Sequence, residues 1–178
     1  MGINLLLVLS LSLKIFFRLG SIFDKSDLKS PSIGWMTSVP EYFIPKKFHA
    51  LAMIEKFLDS MGYGKKSAFL DFPNATKIYS GQSVCVSPKA RGLGLGKELI
   101  RRTNILAKDK GCSHVYILAT SLYSQKIFQS LKFQVHSERD YDTYKNKDGS
   151  NFFKDMGVHK SAQLVVFDLL TSSSPCSN

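Results

Sequence analysis

Acidic residues are scarce in this chain: 14 Asp and Glu stand against 24 Lys and Arg, a formal charge of +10. That imbalance favours an anionic partner. The basic residues are spread along the sequence with no run of five to eight, so they read mainly as a solvated surface. Cysteine is scarce too. Cys85, Cys112 and Cys176 form no C-x-x-C pair and are odd in number, which argues against a disulfide framework and a zinc site. His49, His114, His136 and His159 show no ligand spacing, so no metal is expected. Long apolar runs are missing as well. The longest, from Ile3 to Leu13, is far short of the ~20 residues that span a bilayer. It has the length of a signal-peptide core but no basic residues before it, and Lys14 and Arg18 follow where a cleavage site would fall. Three readings of it stand: a weak signal or anchor, a buried first helix, or a segment foreign to the fold. The myristoylation pattern fails at Leu6, and the Asn74-Ala75-Thr76 sequon matters only in a secreted chain. The rest reads as cytoplasmic, without firm membrane association.

What is present is an ordinary globular composition. At 178 residues, 44% hydrophobic and 21% charged, the chain suits one domain with a real core. Within it, Val84-Cys85-Val86-Ser87-Pro88-Lys89-Ala90-Arg91-Gly92-Leu93-Gly94-Leu95-Gly96-Lys97 reads as a strand, a glycine-rich turn and a helix start. Glycines at 92, 94 and 96 remove the Cβ atoms that would keep a ligand from the backbone. A helix N-terminus presents N–H groups without intrahelical partners and a dipole that favours negative charge. Arg91 and Lys97 add full charges. The predicted ligand carries a pyrophosphate.

Spacing narrows the ligand. A nucleotide-binding P-loop needs Gly-x-x-x-x-Gly-Lys-Ser/Thr, but Arg91 stands at its first Gly and Glu98 at its Ser/Thr. The dinucleotide fingerprint Gly-x-Gly-x-x-Gly fails from Gly92 at Lys97 and from Gly94 at Leu99. The spacing that remains is Arg-x-x-Gly-x-Gly, from Arg91 to Gly96.

Periodicity supplies the surrounding elements. A helix is predicted from about Lys46 to Met61, with Phe48, Leu51, Ala52, Ile54, Phe57 and Leu58 at helical spacing and Gly62 as its stop. Lys77–Val86 alternates as a strand, with Ile78, Val84 and Val86 on one parity. Gly94–Lys110 is predicted helical, His114–Ala119 a short buried strand, and Ser121–Leu131 a helix with Tyr123, Ile127, Phe128 and Leu131 inward. Val135–Tyr144 and Gln163–Leu169 are read as strands, with a turn at Asp148-Gly149. Residues 21–45 carry three prolines and read as irregular. The order is α/β (α+β) with a mixed, partly parallel sheet flanked by helices. Residues 1–45 are expected to be an atypical apolar and irregular segment, 46–170 the ligand-binding domain, and 171–178 a disordered tail.

Arg91 to Gly96, with Val84-Cys85-Val86 upstream, resembles the acyl-CoA-binding motif of the GNAT superfamily of N-acetyltransferases. Asp71-Phe72-Pro73-Asn74-Ala75-Thr76-Lys77-Ile78, Ala119-Thr120-Ser121-Leu122-Tyr123-Ser124-Gln125-Lys126-Ile127-Phe128, Tyr141-Asp142-Thr143-Tyr144-Lys145, Phe153-Lys154 and His159-Lys160-Ser161-Ala162 follow in an order similar to the invertebrate arylalkylamine (dopamine-type) N-acetyltransferases. The likeness runs from about residue 46 to 169. It implies a GNAT fold whose early strands are replaced or missing, with acetyl-CoA as co-substrate and a primary arylalkylamine as acceptor. It further implies that the backbone of Val84, Cys85 and Val86 meets the pantetheine arm and that the N–H groups of Arg91, Gly92, Leu93, Gly94, Leu95, Gly96 and Lys97 hold the pyrophosphate. Ser124 and Thr120 fall on positions the relatives use as hydroxyls near the reacting sulfur, and His159 on one tied to the substrate pocket.

Each catalytic assignment has a plainer alternative. Ser124 suits a first-turn backbone hydrogen bond, Thr120 a helix cap, His159 a satisfied loop histidine, and Tyr123 a core position beside Ile127. Two departures stand out. Phe128 replaces a tyrosine that could protonate the leaving thiolate, and Leu131-Lys132-Phe133 lacks the usual central glycine. Glu41 and Glu55 are the two Glu residues before the glycine turn, neither in a matching motif, so the general base stays unassigned. The alternative functions are a catalytically impaired CoA-binding module and, with no recognition motif to support it, a nucleic-acid binder. Oligomeric state is not set by these features.

Overall fold

The computed structural model describes residues 3–11, 14–29, 48–146 and 148–171. Strands β1 (Ile3–Leu11) and β2 (Lys14–Asp24) form a hairpin, followed by a 3-10 turn over Lys25–Lys29. Helices α1 (His49–Ser60) and α2 (Lys65–Asp71) precede β3 (Lys77–Val86). Then come α3 (Leu95–Asp109), β4 (His114–Ala119), α4 (Leu122–Ser130), β5 (Gln134–Asp140) and β6 (Ser161–Asp168). The sheet has the order β1-β2-β3-β4-β6-β5, parallel at β3–β4 and antiparallel at its other pairings. This is the mixed, partly parallel sheet that the element order predicts.

Two layers of apolar side chains sandwich the sheet. Tyr79, Val115, Ile117 and Ala119 share one cluster with Ile100 and Ala107 of α3 and Phe128 of α4. Ile78, Tyr116, Leu164 and Val166 share the other with Phe57 of α1 and Ala68 and Phe69 of α2. Strand alternation explains this division, since neighbouring residues of β3 and β4 serve opposite faces.

The amino-terminal run corrects the sequence reading. It is neither a first helix nor a segment foreign to the fold. β1 pairs with β2 over nine residues, and β2 pairs with β3. A short apolar run cannot be told from a helix by periodicity alone; pairing with the sheet decides it. Residues 21–24, read as irregular, complete β2. The remainder of that irregular stretch beyond residue 29 and the tail after residue 171 lie outside the described residues.

Three smaller differences have local causes. The parity expected for β3 breaks because Gln82 is an extra residue. Gly20 pairs with Gly81 and Leu19 with Ser83, and one added residue turns the following side chains to the other face. Ile78 therefore packs beneath α1 and α2, while Val84 and Val86 pack against Leu99 of α3. β5 ends at Asp140, not Tyr144, because the chain enters a 3-10 turn at Tyr141–Thr143. α2, at seven residues, gave no helical period to read. Among the described residues, no helix is long and apolar enough to cross a membrane.

Candidate active site

The Gln82 bulge sits where two strands part. β3 and β4 pair from Ile78↔His114 to Gly81↔Ile117 and no further, while Leu118 and Ala119 continue along β6. Val84, Cys85 and Val86 stay bonded to β2 on one side, so their other edge opens towards the gap. Cys85 is exposed, and Val84 and Val86 are half-buried. Both helices that follow the parallel strands begin at this end of the sheet, the place where open α/β sheets bind ligands.

Past β3, Pro88–Ala90 makes a 3-10 turn pinned by buried Ala90. Gly92 (φ 81°) and Gly94 (φ 71°) then take left-handed backbone, with Gly94 as the N-cap of α3. A Cβ on either would be strained in that conformation, yet would meet no protein atom within 4 Å. The space above the turn is open. Glu98 N–H closes the first helical bond, to Gly94 C=O at 3.1 Å. From Gly92 to Lys97, no backbone N–H finds an acceptor among the described residues. Six successive donors at a helix start, flanked by exposed Arg91 and Lys97, suit a pyrophosphate. Glu98 does not oppose this charge, because its carboxylate is held back along the helix by Arg101 Nε at 2.9 Å and Arg102 Nε at 2.7 Å. Those two hydrogen bonds, Arg101's first, lower its pKa to about 2.

The second half of the site gathers at the end of β4. Ser121 caps α4: its hydroxyl accepts from Ser124 N–H at 3.1 Å, and Ser124 Oγ accepts from Ser121 N–H at 3.2 Å. Ser124 Oγ also donates to Ser121 C=O at 2.8 Å. The first-turn role foreseen for Ser124 is therefore present. The cap foreseen for Thr120 belongs to Ser121 instead. Thr120 is exposed, and its carbonyl accepts from Tyr141 Oη at 2.6 Å. Burial pushes the Tyr141 phenol up to about 12, so it remains a donor at neutral pH.

His159 joins this cluster from the loop before β6. Its Nδ1 accepts from Leu122 N–H at 3.1 Å, which places the proton of the neutral ring on Nε2. Tyr123 meets His159 edge to face at 5.6 Å. Contrary to the core position expected for it, Tyr123 is 66% exposed. Ile127 and Phe128 fill the inward arc of α4, and Tyr123 falls outside it. A cavity of about 190 Å³ opens beside His159, lined by Asp142, Phe153, Asp155, Met156, Gly157 and Lys160 as well.

The structure thus brings Ser124, Thr120 and His159 to one end of the sheet and sets the glycine turn at the same end. The halves meet at Gly96, where an added Cβ would lie 3.2 Å from Ile127 Cδ1, one turn beyond Ser124. Sequence reasoning missed Ser121, Gln125 and Tyr141. Gln125 Nε2 bridges the Ala119 and Ser161 carbonyls at 3.3 and 2.8 Å, fixing α4 to β4 and β6. The Ser-x-x-Ser spacing of the cap was a readable signal, although the usual box has Glu or Gln in the last place. Tyr141 carries no such signal, because its role depends on a contact across 21 residues of sequence. Phe128 lies buried against Phe133, with ring centroids 4.9 Å apart, so it contributes packing and no proton. Among the described residues, no group of three or more His, Cys, Asp or Glu is placed to hold a metal.

Comparison with known proteins bears on the fold. A family model described as the acetyltransferase (GNAT) family matches residues 38–133. No curated protein matches. Arylalkylamine N-acetyltransferase 2 from Aedes aegypti superposes with a TM-score of 0.72 at 24% identity, over 86% of this chain and 67% of that one. The Drosophila melanogaster polyamine N-acetyltransferase, described as catalysing formation of N-acetylagmatine, superposes with a TM-score of 0.65 at 18% identity, over 86% and 68%. At these identities, the likenesses show a shared fold.

Proposed function

This chain belongs to the acetyltransferase (GNAT) family, and from that membership we propose that it transfers an acetyl group from acetyl-CoA to a primary amine of the arylalkylamine kind. The observation that carries the reading is the run of six N–H groups from Gly92 to Lys97 without main-chain acceptors, beside parted strands. Acetyl-CoA, when bound, supplies an activated thioester. Gly92 to Lys97 hold the pyrophosphate through backbone donors, and Arg91 and Lys97 add charge. Val84, Cys85 and Val86 offer the free edge of β3 to the pantetheine arm. One N–H of that edge polarises the thioester carbonyl, an effect worth ~2.7–4 kcal/mol per donor.

The acceptor enters beside His159, where the cavity opens. An alkylammonium has a pKa of about 10.4, so it must lose a proton before attack. His159, whose Nδ1 accepts from Leu122 N–H, lines that cavity, and Ser124 Oγ sits within the α4 cap. In this reading, Ser124 and Thr120 serve the sulfur side and His159 the acceptor side. Phe128 leaves proton delivery to the thiolate to these hydroxyls or to solvent.

The test is thermal unfolding against CoA, acetyl-CoA and, as control, ATP. A ligand of the native state raises stability by about 2.7 kcal/mol at a hundredfold excess over Kd. A saturable rise with the CoA species is expected, lost in Arg91→Glu. Turnover on an amine panel follows, with Ser124→Ala expected to lower kcat by at least ~10² while CoA binding persists. CoA binding without turnover on any amine would leave a binding module in place of an enzyme. No CoA response from a cooperatively folded chain would refute the reading.

A further inference from the structure

β4 makes its last pairing with β6 at Ala119↔Gln163, so Thr120 is the first residue beyond the sheet. Its carbonyl has left the ladder that satisfies the carbonyls before it, and a main-chain acceptor shielded from water needs a donor. Tyr141 Oη supplies one at 2.6 Å. The same residue's N–H donates to Lys160 C=O at 2.9 Å. Tyr141 thus holds two segments of chain at once, one through its hydroxyl and one through its backbone.

These two bonds close a circuit. Leu122 N–H belongs to the first turn of α4, where donors lack intrahelical partners. The Ser121 hydroxyl takes Ser124 N–H, and His159 Nδ1 takes Leu122 N–H at 3.1 Å. His159 is followed by Lys160, Lys160 is bonded to Tyr141, and Tyr141 is bonded to Thr120, two residues before Leu122. Gln125 Nε2 ties the next residue, Ser161, to the same helix at 2.8 Å. The circuit runs behind the cavity. His159, Lys160, Asp142 and Phe153 line that space. Tyr141 is 3% exposed and packs its ring against Phe153 at 4.8 Å and Phe57 at 5.7 Å.

We propose that Tyr141 is a positioning residue for the acceptor side of the reaction: its hydroxyl fixes the Thr120 carbonyl, and with it the turn into α4 that presents Leu122 N–H to His159. This role rests on the reading of the cavity beside His159 as the acceptor site. Tyr141 itself touches no reacting atom. Without the hydroxyl, its ring still fills the place between Phe57 and Phe153, so the core holds. The Thr120 carbonyl loses its donor, the turn gains freedom, and His159 loses the fixed N–H that orients its ring. Gln125 keeps the loop attached to α4, so the outcome is misplacement without release. A misplacement of about 1 Å can cost ~10²-fold in rate, and a partial one costs less.

Tyr141→Phe removes that hydroxyl alone. Its kcat is expected to fall roughly tenfold, with the amine KM and the CoA affinity held. Tyr144→Phe is the control. Tyr144 meets Phe57 edge to face in the same aromatic cluster at 5.2 Å, but its hydroxyl donates to Met53 C=O at 3.3 Å, outside the circuit. Its kcat is expected to match the parent. Amide hydrogen exchange reads the circuit without turnover. Leu122 N–H is expected to exchange roughly threefold to tenfold faster in Tyr141→Phe, the range that one neutral hydrogen bond spans, and at the parent rate in Tyr144→Phe. A Tyr141→Phe variant with full kcat, beside a parent that turns over, overturns the proposal alone. So does an unchanged Leu122 rate, or the same gain in both variants, which would make the hydroxyl a general prop of the fold. A parent that binds no CoA or acetylates no amine overturns the acceptor reading and this role together.

Discussion

Lys132 ends α4 in a backbone conformation that glycine adopts at little cost. Its φ is 60°, and it sits between the capping Leu131 and Phe133. Phe133 N–H bonds Phe128 C=O and Lys132 N–H bonds Gln129 C=O, both at 3.0 Å, the paired bonds of a Schellman cap. Phe133 covers Phe128 in the hydrophobic contact that accompanies it. α1 and α3 close in the same way, but with Gly62 and Gly111 in the left-handed place. A non-glycine residue there costs ~1–2 kcal/mol, partly offset by the unfolded-state freedom that glycine brings. Lys132→Gly is therefore expected to stabilise the protein by about 1 kcal/mol, raising Tm by ~2–4 °C. Thermal unfolding checks it, and a lower Tm would mean that Lys132 makes a compensating contact. The sequence marked this position as unusual; the φ of 60° shows that the cap forms with Lys132 in the left-handed place.

At the scale of elements, the cap of α4 separates two neighbouring hydroxyls. Ser121 accepts from Ser124 N–H, whereas Thr120 contributes its carbonyl to Tyr141. Ser121→Ala is expected to cost ~1 kcal/mol and Thr120→Ala to stay within ~0.5 kcal/mol. Urea unfolding of both variants distinguishes them, and equal losses would remove the cap assignment. The bounds of β3, α3, β4 and α4 were legible in the sequence because each meets a marked end, although the period of β3 breaks at Gln82. Gly94 and Gly111 bracket α3, and Ser121 opens α4. The Gln82 bulge was not legible. It appears only when β2 pairs with β3 and Gly20 packs against Tyr79, where a Cβ would lie 2.0 Å from the phenol oxygen. That one extra residue turns Val84 and Val86 onto α3 and opens the gap beside β4. The CoA-binding edge proposed above depends on it.

For the whole molecule, burial sets a pH window of stability. His114 stacks on Phe72 at 4.1 Å, and burial lowers its pKa below 6.5, with Asp168 opposing. The unfolded chain therefore takes up this proton first, and stability falls as pH drops from 6.5 towards the folded value. Burial raises Cys112 from 9.0 to about 11, so its contribution is lost as pH climbs across that range. Denaturation midpoints measured from pH ~7 to ~5 should decline, and His114→Gln should flatten the decline. An unchanged slope in that variant would assign the acid limb to other groups.

The sequence by itself determined the local parts: the glycine turn with its basic flanks, the helices and strands around it, and the kinship with GNAT acetyltransferases. These rest on periodicity, capping and left-handed backbone, which are interactions within a few residues. Tertiary structure decided the rest. It made the apolar amino-terminal run a strand, exposed Tyr123, carried Tyr141 to the Thr120 carbonyl and set His159 on the first turn of α4. Each of these is a contact between distant parts of the chain. Burial and backbone hydrogen bonding must be satisfied over the whole sheet before such contacts are defined, and no window of local sequence carries that constraint.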